Sequence, residues 1–179
     1  MKPRYFANSL EHILAELERI NLVIQMHLQQ AREVFETKGE FQGFFISKQE
    51  VERLMKRPIG TPNWATSREH LFMAESQAKH DRMVAEIVQC KSESAKQRVT
   101  LRLERLSRLF RLNPFDVDTL LICFAPEIDL RYERVYGYLQ DDITRKRPSV
   151  DLVLSLLCSS LEKNLTARKR FNPDSSLFR

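Results

Sequence analysis

The sequence predicts an all-α protein in which long N-terminal helices pack on a compact C-terminal helical bundle. Three observations predict it. Apolar residues recur at spacings of three and four over long stretches, the signature of helices with one buried face. The 179 residues include only four glycines, at 39, 43, 60 and 137, which leaves little provision for hairpin turns. Helix-start residues recur ahead of the apolar segments, as at Asn113-Pro114 and Ser149. A chain of this length buries a core without disulfides or metal.

The first helix starts at Asn8 or Ser9, with Glu11 placed for a capping box with Asn8. Leu10, Ile13, Leu14, Leu17, Ile20 and Ile24 form its apolar stripe, which continues through Leu28, Ala31 and Phe35 towards Lys38-Gly39. The segment FQGFF follows. It reads as an extended plug that docks Phe41, Phe44 and Phe45 in the core, with an exposed partner patch as the other reading. Ser47 and Glu50 form a second capping box, on a short helix with Val51, Leu54 and Met55 on its apolar face and Pro58 at its end. Residues 57–64, RPIGTPNW, read as a linker with Trp64 as an anchor. Thr66 or Ser67 starts another long helix through Ile87 and Val88, half buried because SQAKHDRM is weakly apolar; residues 91–97 read as a hinge or a solvated turn.

In the second half, Val99, Leu103, Leu106 and Phe110 form a stripe that Leu101, Leu109 and Leu112 widen, while Arg98, Arg102 and Arg105 line an adjacent face. Asn113 caps the next helix, Pro114 takes its first position and Asp116 complements its dipole. The run Val117 to Ala125 reads as fully buried, with Pro126 as its stop. Asp129 caps a helix carrying Leu130, Tyr132, Val135, Tyr136 and Leu139. Ser149 caps another, with Val150, Leu152, Val153, Leu156 and Leu157 apolar, and a last helix spans Ser160 to Phe171 ahead of Asn172-Pro173. The domains divide as a long-helix part over 1–95, a bundle over 96–173, and residues 174–179 as the start of a linker to a downstream module.

The net charge of +5 is uneven: residues 1–95 hold 13 basic and 13 acidic side chains, residues 96–179 hold 16 and 11. The asymmetry suits an acidic partner or nucleic acid, and a solvated Arg-rich surface is the bland reading. Arg145, Lys146 and Arg147 are the best candidate contact, in a loop where charges project freely, although Asp141, Asp142 and Asp151 flank them. Arg98, Arg102 and Arg105 are the second candidate, as a binding face or a solvated stripe. Tyr132, Tyr136 and Tyr138 are of the type that stacks bases, but the two at i and i+4, Tyr132 and Tyr136, read rather as core packing with hydroxyls at the rim. His12 and Glu16, at i and i+4, read as a surface pair and not a metal site, since no third ligand is visible. Helix caps account for Glu127, Asp129, Asp141 and Asp142 better than cation binding does. Cys90, Cys123 and Cys158 form no CxxC pair, and the last two read as buried core thiols. Reduced cysteines fit a cytoplasmic protein. No phosphate loop, nucleophile elbow, zinc-protease or dinucleotide fingerprint occurs, so no catalytic residue, cofactor site or metal site is assigned and the chain by itself is not expected to be an enzyme. No stretch approaches the length of a membrane span.

The segment APEIDLRYERVYGYLQDDITRKRPSVDLVLSLL, with FQGFFISKQEVERLM and ERLSRLFRLNPFD upstream, resembles the N-terminal helical, winged-helix-like region of a bacterial AAA-type ATPase family with members alongside contractile injection systems. The resemblance covers most of residues 10–173. It implies a non-catalytic domain ahead of an ATPase module, for partner recognition or assembly, and a helix-turn-helix or degenerate winged-helix arrangement. The partner it implies is a protein: the chain's own ATPase module, a neighbouring subunit or a client. The alternative is a nucleic-acid-binding helical domain that uses the basic second half.

Overall fold

The computed structural model describes residues 5–35, 52, 55–56, 62 and 71–178. The FQGFF segment, Trp64, most of the Ser47 helix and of the 57–64 linker, and the Thr66/Ser67 start lie outside them. Met55, expected on an apolar face, is helical and 81% exposed. Seven helices have bounds within the described residues: α1 (Ser9–Phe35), α2 (Leu71–Lys96), α3 (Arg102–Phe110), α4 (Pro114–Ile128), α5 (Arg131–Leu139), α6 (Val150–Leu157) and α7 (Leu161–Arg168). A 3-10 turn, Lys169–Phe171, follows. No strand occurs among the described residues, so the fold is all-α.

Local capping starts most of these helices. The Asn8 side chain accepts from the N–H groups of Leu10 and Glu11, both at 3.0 Å, and the Glu11 carboxylate accepts from Ala7 N at 2.8 Å. The expected box thus closes one residue earlier than Asn8. Asn113 and Asp116 form the complete reciprocal box at the start of α4, with Pro114 behind the cap. Ser149 and Ser160 cap α6 and α7. α3 has no cap of its own. Ser9 supplies one from 93 residues away: its hydroxyl accepts from Arg102 N at 3.0 Å and donates to Thr100 O at 3.2 Å.

The main core joins α1 to the second half. Leu17, Ile20, Ile24 and Ala31 of α1 are buried with Leu121, Ile122 and Ala125 of α4, Tyr132, Tyr136 and Leu139 of α5, and Leu152, Val153 and Leu156 of α6. Phe6, Ile87, Cys90 and Leu101 form a smaller cluster where the N-terminal end of α1 meets α2 and the start of α3. Asp116 is fully buried and pairs in bidentate fashion with Arg170, while Phe171 packs edge-on against Phe115 at 6.0 Å. The C-terminal turn is thereby fastened to the start of α4.

Several sequence expectations are corrected. Leu10 and Leu14 are exposed, because the inward positions of the first turns of α1 go to His12 and Glu16. Residues 91–96 are the last turns of α2, not a hinge. Ser94 there is fully buried, accepting from Phe6 N at 2.9 Å and donating to Cys90 O at 2.7 Å. The Val117–Ala125 run is buried on one face only: Leu121, Ile122 and Ala125 point inward, and Phe124 is 41% exposed. An unbroken apolar run hides which face a helix buries. Pro126 does not stop α4, which continues to Ile128. A proline has no N–H for the carbonyl four residues back, and here that carbonyl, Ile122 O, accepts from the Tyr136 hydroxyl at 2.8 Å. α5 ends through Asp141 at φ 53°, and the returning chain passes so close that a Cβ on Gly137 would meet Asp142 O and Ile143 Cα at 3.3 Å.

Candidate recognition surface

Two basic clusters compete for the role of contact surface, and their ion pairing separates them. In the loop after α5, Arg145 pairs with Asp142 at 3.2 Å, Lys146 with Glu133 at 3.5 Å and Arg147 with Glu127 at 2.5 Å. Each cation of the best sequence candidate therefore has a carboxylate of its own. Gln140 braces the loop further by donating to the carbonyls of Arg145 and Arg147, both at 3.0 Å. Thr144 donates from its N–H and its hydroxyl to Asp142, which holds that carboxyl below its ordinary range.

The second cluster lies on and around α3. Arg102 and Arg105 project from the helix, joined by Arg108. Arg98 does not share their face as the sequence spacing suggested. It sits before the helix at φ 57°, in the turn where Val99 N reaches back to Ser94 O at 2.9 Å. Arg111 takes the equivalent left-handed position after α3, at φ 51°, with Leu112 N on Ser107 O at 2.9 Å. None of these five arginines has an ion-pair partner among the described residues. The one acid of α3, Glu104, is taken by Lys91 at 2.7 Å.

The apolar side of α3 is not covered either. No residue of the helix is buried, and Leu106, Leu109 and Phe110 are 39%, 68% and 44% exposed. Only Leu103 among its leucines packs against the main core. Thr100, Arg105, Arg108 and Leu109 line an open groove of about 460 Å³ on this side. The spacing of these leucines predicts a packed stripe, and the exposure of Leu106, Leu109 and Arg108 departs from it. The available signal was their number: apolar residues at 101, 103, 106, 109, 110 and 112 are too many for one face of so short a helix.

The other candidates settle differently. His12 and Glu16 are buried, not a surface pair, and His12 Nε2 lies 3.5 Å from Glu16 Oε1. Glu16 and Asp118 both hold the Arg19 guanidinium, at 2.8 and 2.5 Å. Burial by itself raises the Glu16 carboxyl, but the His12 ring and the charges of Arg19 and Lys91 outweigh it and bring the pKa down to about 2. These charges are inside because they are paired. Tyr132 and Tyr136 are core residues with ring centroids 6.0 Å apart. The Tyr136 hydroxyl is buried, contrary to the expected rim position, and its pKa is pushed up by burial. Cys123 is exposed and Cys158 half-buried, so neither is the core thiol expected; both lie where one helix face, or a helix end, turns out of the core. Apolar surroundings still raise both thiol pKa values. No cluster of three or more His, Cys, Asp or Glu side chains that could hold a metal occurs among the described residues, and no described helix is long and apolar enough to cross a membrane.

The family model described as "WHD: Winged helix domain, variant" matches residues 2–179, nearly the whole chain. The chain belongs to this winged helix domain family. No curated protein and no solved structure matches it. In this winged helix domain variant the described residues are helical throughout their regular structure, and the candidate contact surface lies on α3.

Proposed function

We propose that this winged helix domain variant is a non-catalytic, cytoplasmic recognition module that docks a protein partner for an AAA-type ATPase. The observation that carries the reading is the character of α3: arginines with no ion-pair partner among the described residues surround exposed leucines. Phosphate contacts are made by cations and hydrogen-bond donors and draw nothing from exposed leucines, whereas an apolar centre inside a polar rim is the anatomy of a protein interface. The ATPase parent, and an association with contractile injection systems, are supported by the resemblance of residues 125–157 to that family. Nucleic-acid binding is the second reading, favoured by the charge excess of residues 96–179 and by the winged helix family itself.

The test is a titration of the purified chain against a labelled duplex of about 20 base pairs, with calorimetry against ATP alongside. The expected duplex affinity is weaker than roughly 10 μM at about 0.15 M salt and falls steeply as salt rises. Sub-micromolar duplex affinity at that salt makes the nucleic-acid reading the better one. Micromolar ATP binding by these 179 residues contradicts the non-catalytic assignment.

A further inference from the structure

We infer that α3 is the docking surface for an acidic, amphipathic helix of a protein partner. The inference rests on the protein-recognition reading and adds the surface and the chemistry of what it binds. Arg102, Arg105 and Leu109 follow one another at i, i+3 and i+7 and share a helix face; Leu106 stands one turn from Arg102 and Leu109 beside it. Two cations and two apolar side chains therefore share a single exposed strip.

Each half of that strip specifies half of the partner. Leu109, at 68% exposure, is the most exposed residue of the apolar pair and gains most from being covered. The groove beside it is walled by Arg105 and Arg108, and no carboxylate lines it among the described residues. Glu104, the one acid that could have balanced those arginines from within α3, is spent on Lys91. Among the described residues no acid pairs with them, so an acidic partner meets an unmatched positive surface. A helix laid along a helix presents apolar residues at i, i+3 and i+4, the spacing at which Leu106 and Leu109 await them. Glutamates or aspartates flanking that stripe meet the arginines as charge-assisted pairs. The basic loop at 145–147 offers no such demand, because its cations are already matched.

The probe is a fluorescein-labelled synthetic helical peptide of about 18 residues, with leucines at i, i+3, i+4 and i+7 and glutamates beside them; its control carries lysine for every glutamate. The expected affinity for the intact chain is roughly 10–100 μM, with the lysine control at least tenfold weaker. Arg105→Glu with Arg108→Glu weakens binding at least tenfold, and Leu109→Ser weakens it roughly fivefold. The triple change Arg145→Ala, Lys146→Ala, Arg147→Ala leaves it within twofold. All of these side chains are exposed, so circular dichroism melts verify that the variants fold. Hydrogen exchange slows at residues 102–111 when the peptide is added. Equal binding of peptide and lysine control, no binding of either, or loss of binding in the triple variant with α3 variants unaffected removes the assignment of α3. If the duplex also stays weak in that case, protein recognition stands without this surface; sub-micromolar duplex binding abolished by Arg105→Glu overturns both.

Discussion

Tyr136→Phe isolates the contact that lets α4 run through Pro126. The substitution keeps the ring, which is fully buried between α4 and the rest of the core, and removes only the hydroxyl. Ile122 O then loses a 2.8 Å donor in a place where Ile122 is itself fully buried and Pro126 has no N–H to offer. An acceptor left unsatisfied in that setting costs about 1–3 kcal/mol, with little cavity cost added because the ring stays. Urea denaturation followed by circular dichroism measures it as a fall in midpoint at constant m. The partner substitution is Pro126→Ala, which restores an N–H four residues after Ile122. In that background Tyr136→Phe is expected to cost less than about 0.5 kcal/mol, so the double-mutant cycle gives a coupling of about 0.5 kcal/mol or more. Alkali supplies a second readout. The folded pKa of Tyr136 is raised, so the unfolded chain loses the proton first; stability is complete below about pH 10 and declines above it, less steeply in Tyr136→Phe. A Tyr136→Phe cost within about 0.5 kcal/mol of zero in the parent background refutes the account of how the proline is tolerated.

Acid acts on the buried network at Glu16. Its folded pKa is depressed from 4.5 to about 2, so its contribution is complete above about pH 4.5 and is lost as pH falls towards 2. Between pH 6 and pH 3 this group accounts for a loss on the order of 2 kcal/mol, and Glu16→Gln is expected to flatten the acid limb of a stability–pH curve by about that amount; an unchanged slope contradicts it. Arg170→Ala strips the Asp116 carboxylate of its guanidinium and leaves it buried on the Asn113 N–H, 3.0 Å away. Because the arginine is 30% exposed the cost is set below that of a fully buried pair, at about 2 kcal/mol or roughly 4–8 °C in Tm. A shift under about 1 °C shows that the cap alone satisfies the aspartate.

Helix starts were legible in the sequence because their grammar is local. Asn8, Asn113, Ser149 and Ser160 each reach a backbone N–H within three residues, and proximity in sequence guarantees proximity in space. Periodicity likewise located Leu17, Ile20 and Ile24 in the core. What remained hidden depends on residues far apart. Pro126 is accommodated by a tyrosine hydroxyl that joins Ile122 to a residue 14 positions away. The cap of α3 is lent by Ser9, and the salt bridge that buries Asp116 is lent by Arg170. Helix ends were hidden for another reason. Glycine is the usual sign of a left-handed terminus, but α2, α3 and α5 end through Arg98, Arg111 and Asp141. The left-handed turn at Arg98 thus has no sequence sign, and the polar residues 91–97 read as a hinge or a solvated turn where α2 in fact continues to Lys96.

The candidate surface was half legible for the same physical reason. The sequence counts charges but does not pair them. Asp141, Asp142 and Asp151 were the visible neighbours of the 145–147 loop, yet two of its three partners, Glu127 and Glu133, come from other helices brought alongside by folding. Folding thus neutralises the cluster that looked most available, while the arginines around α3 find no carboxylate among the described residues. The backbone bears on the same surface. Arg98 and Arg111 occupy left-handed positions at the two ends of α3, where a side chain costs on the order of 1 kcal/mol that glycine avoids. Helix termination alone is served better by glycine at both places. Arginine at both, with Arg102, Arg105 and Arg108 between them and Leu109 exposed in their midst, sets backbone cost and positive charge on a single helix, and that coincidence is a second ground, beside the exposed leucines, for the proposal that α3 is the docking surface.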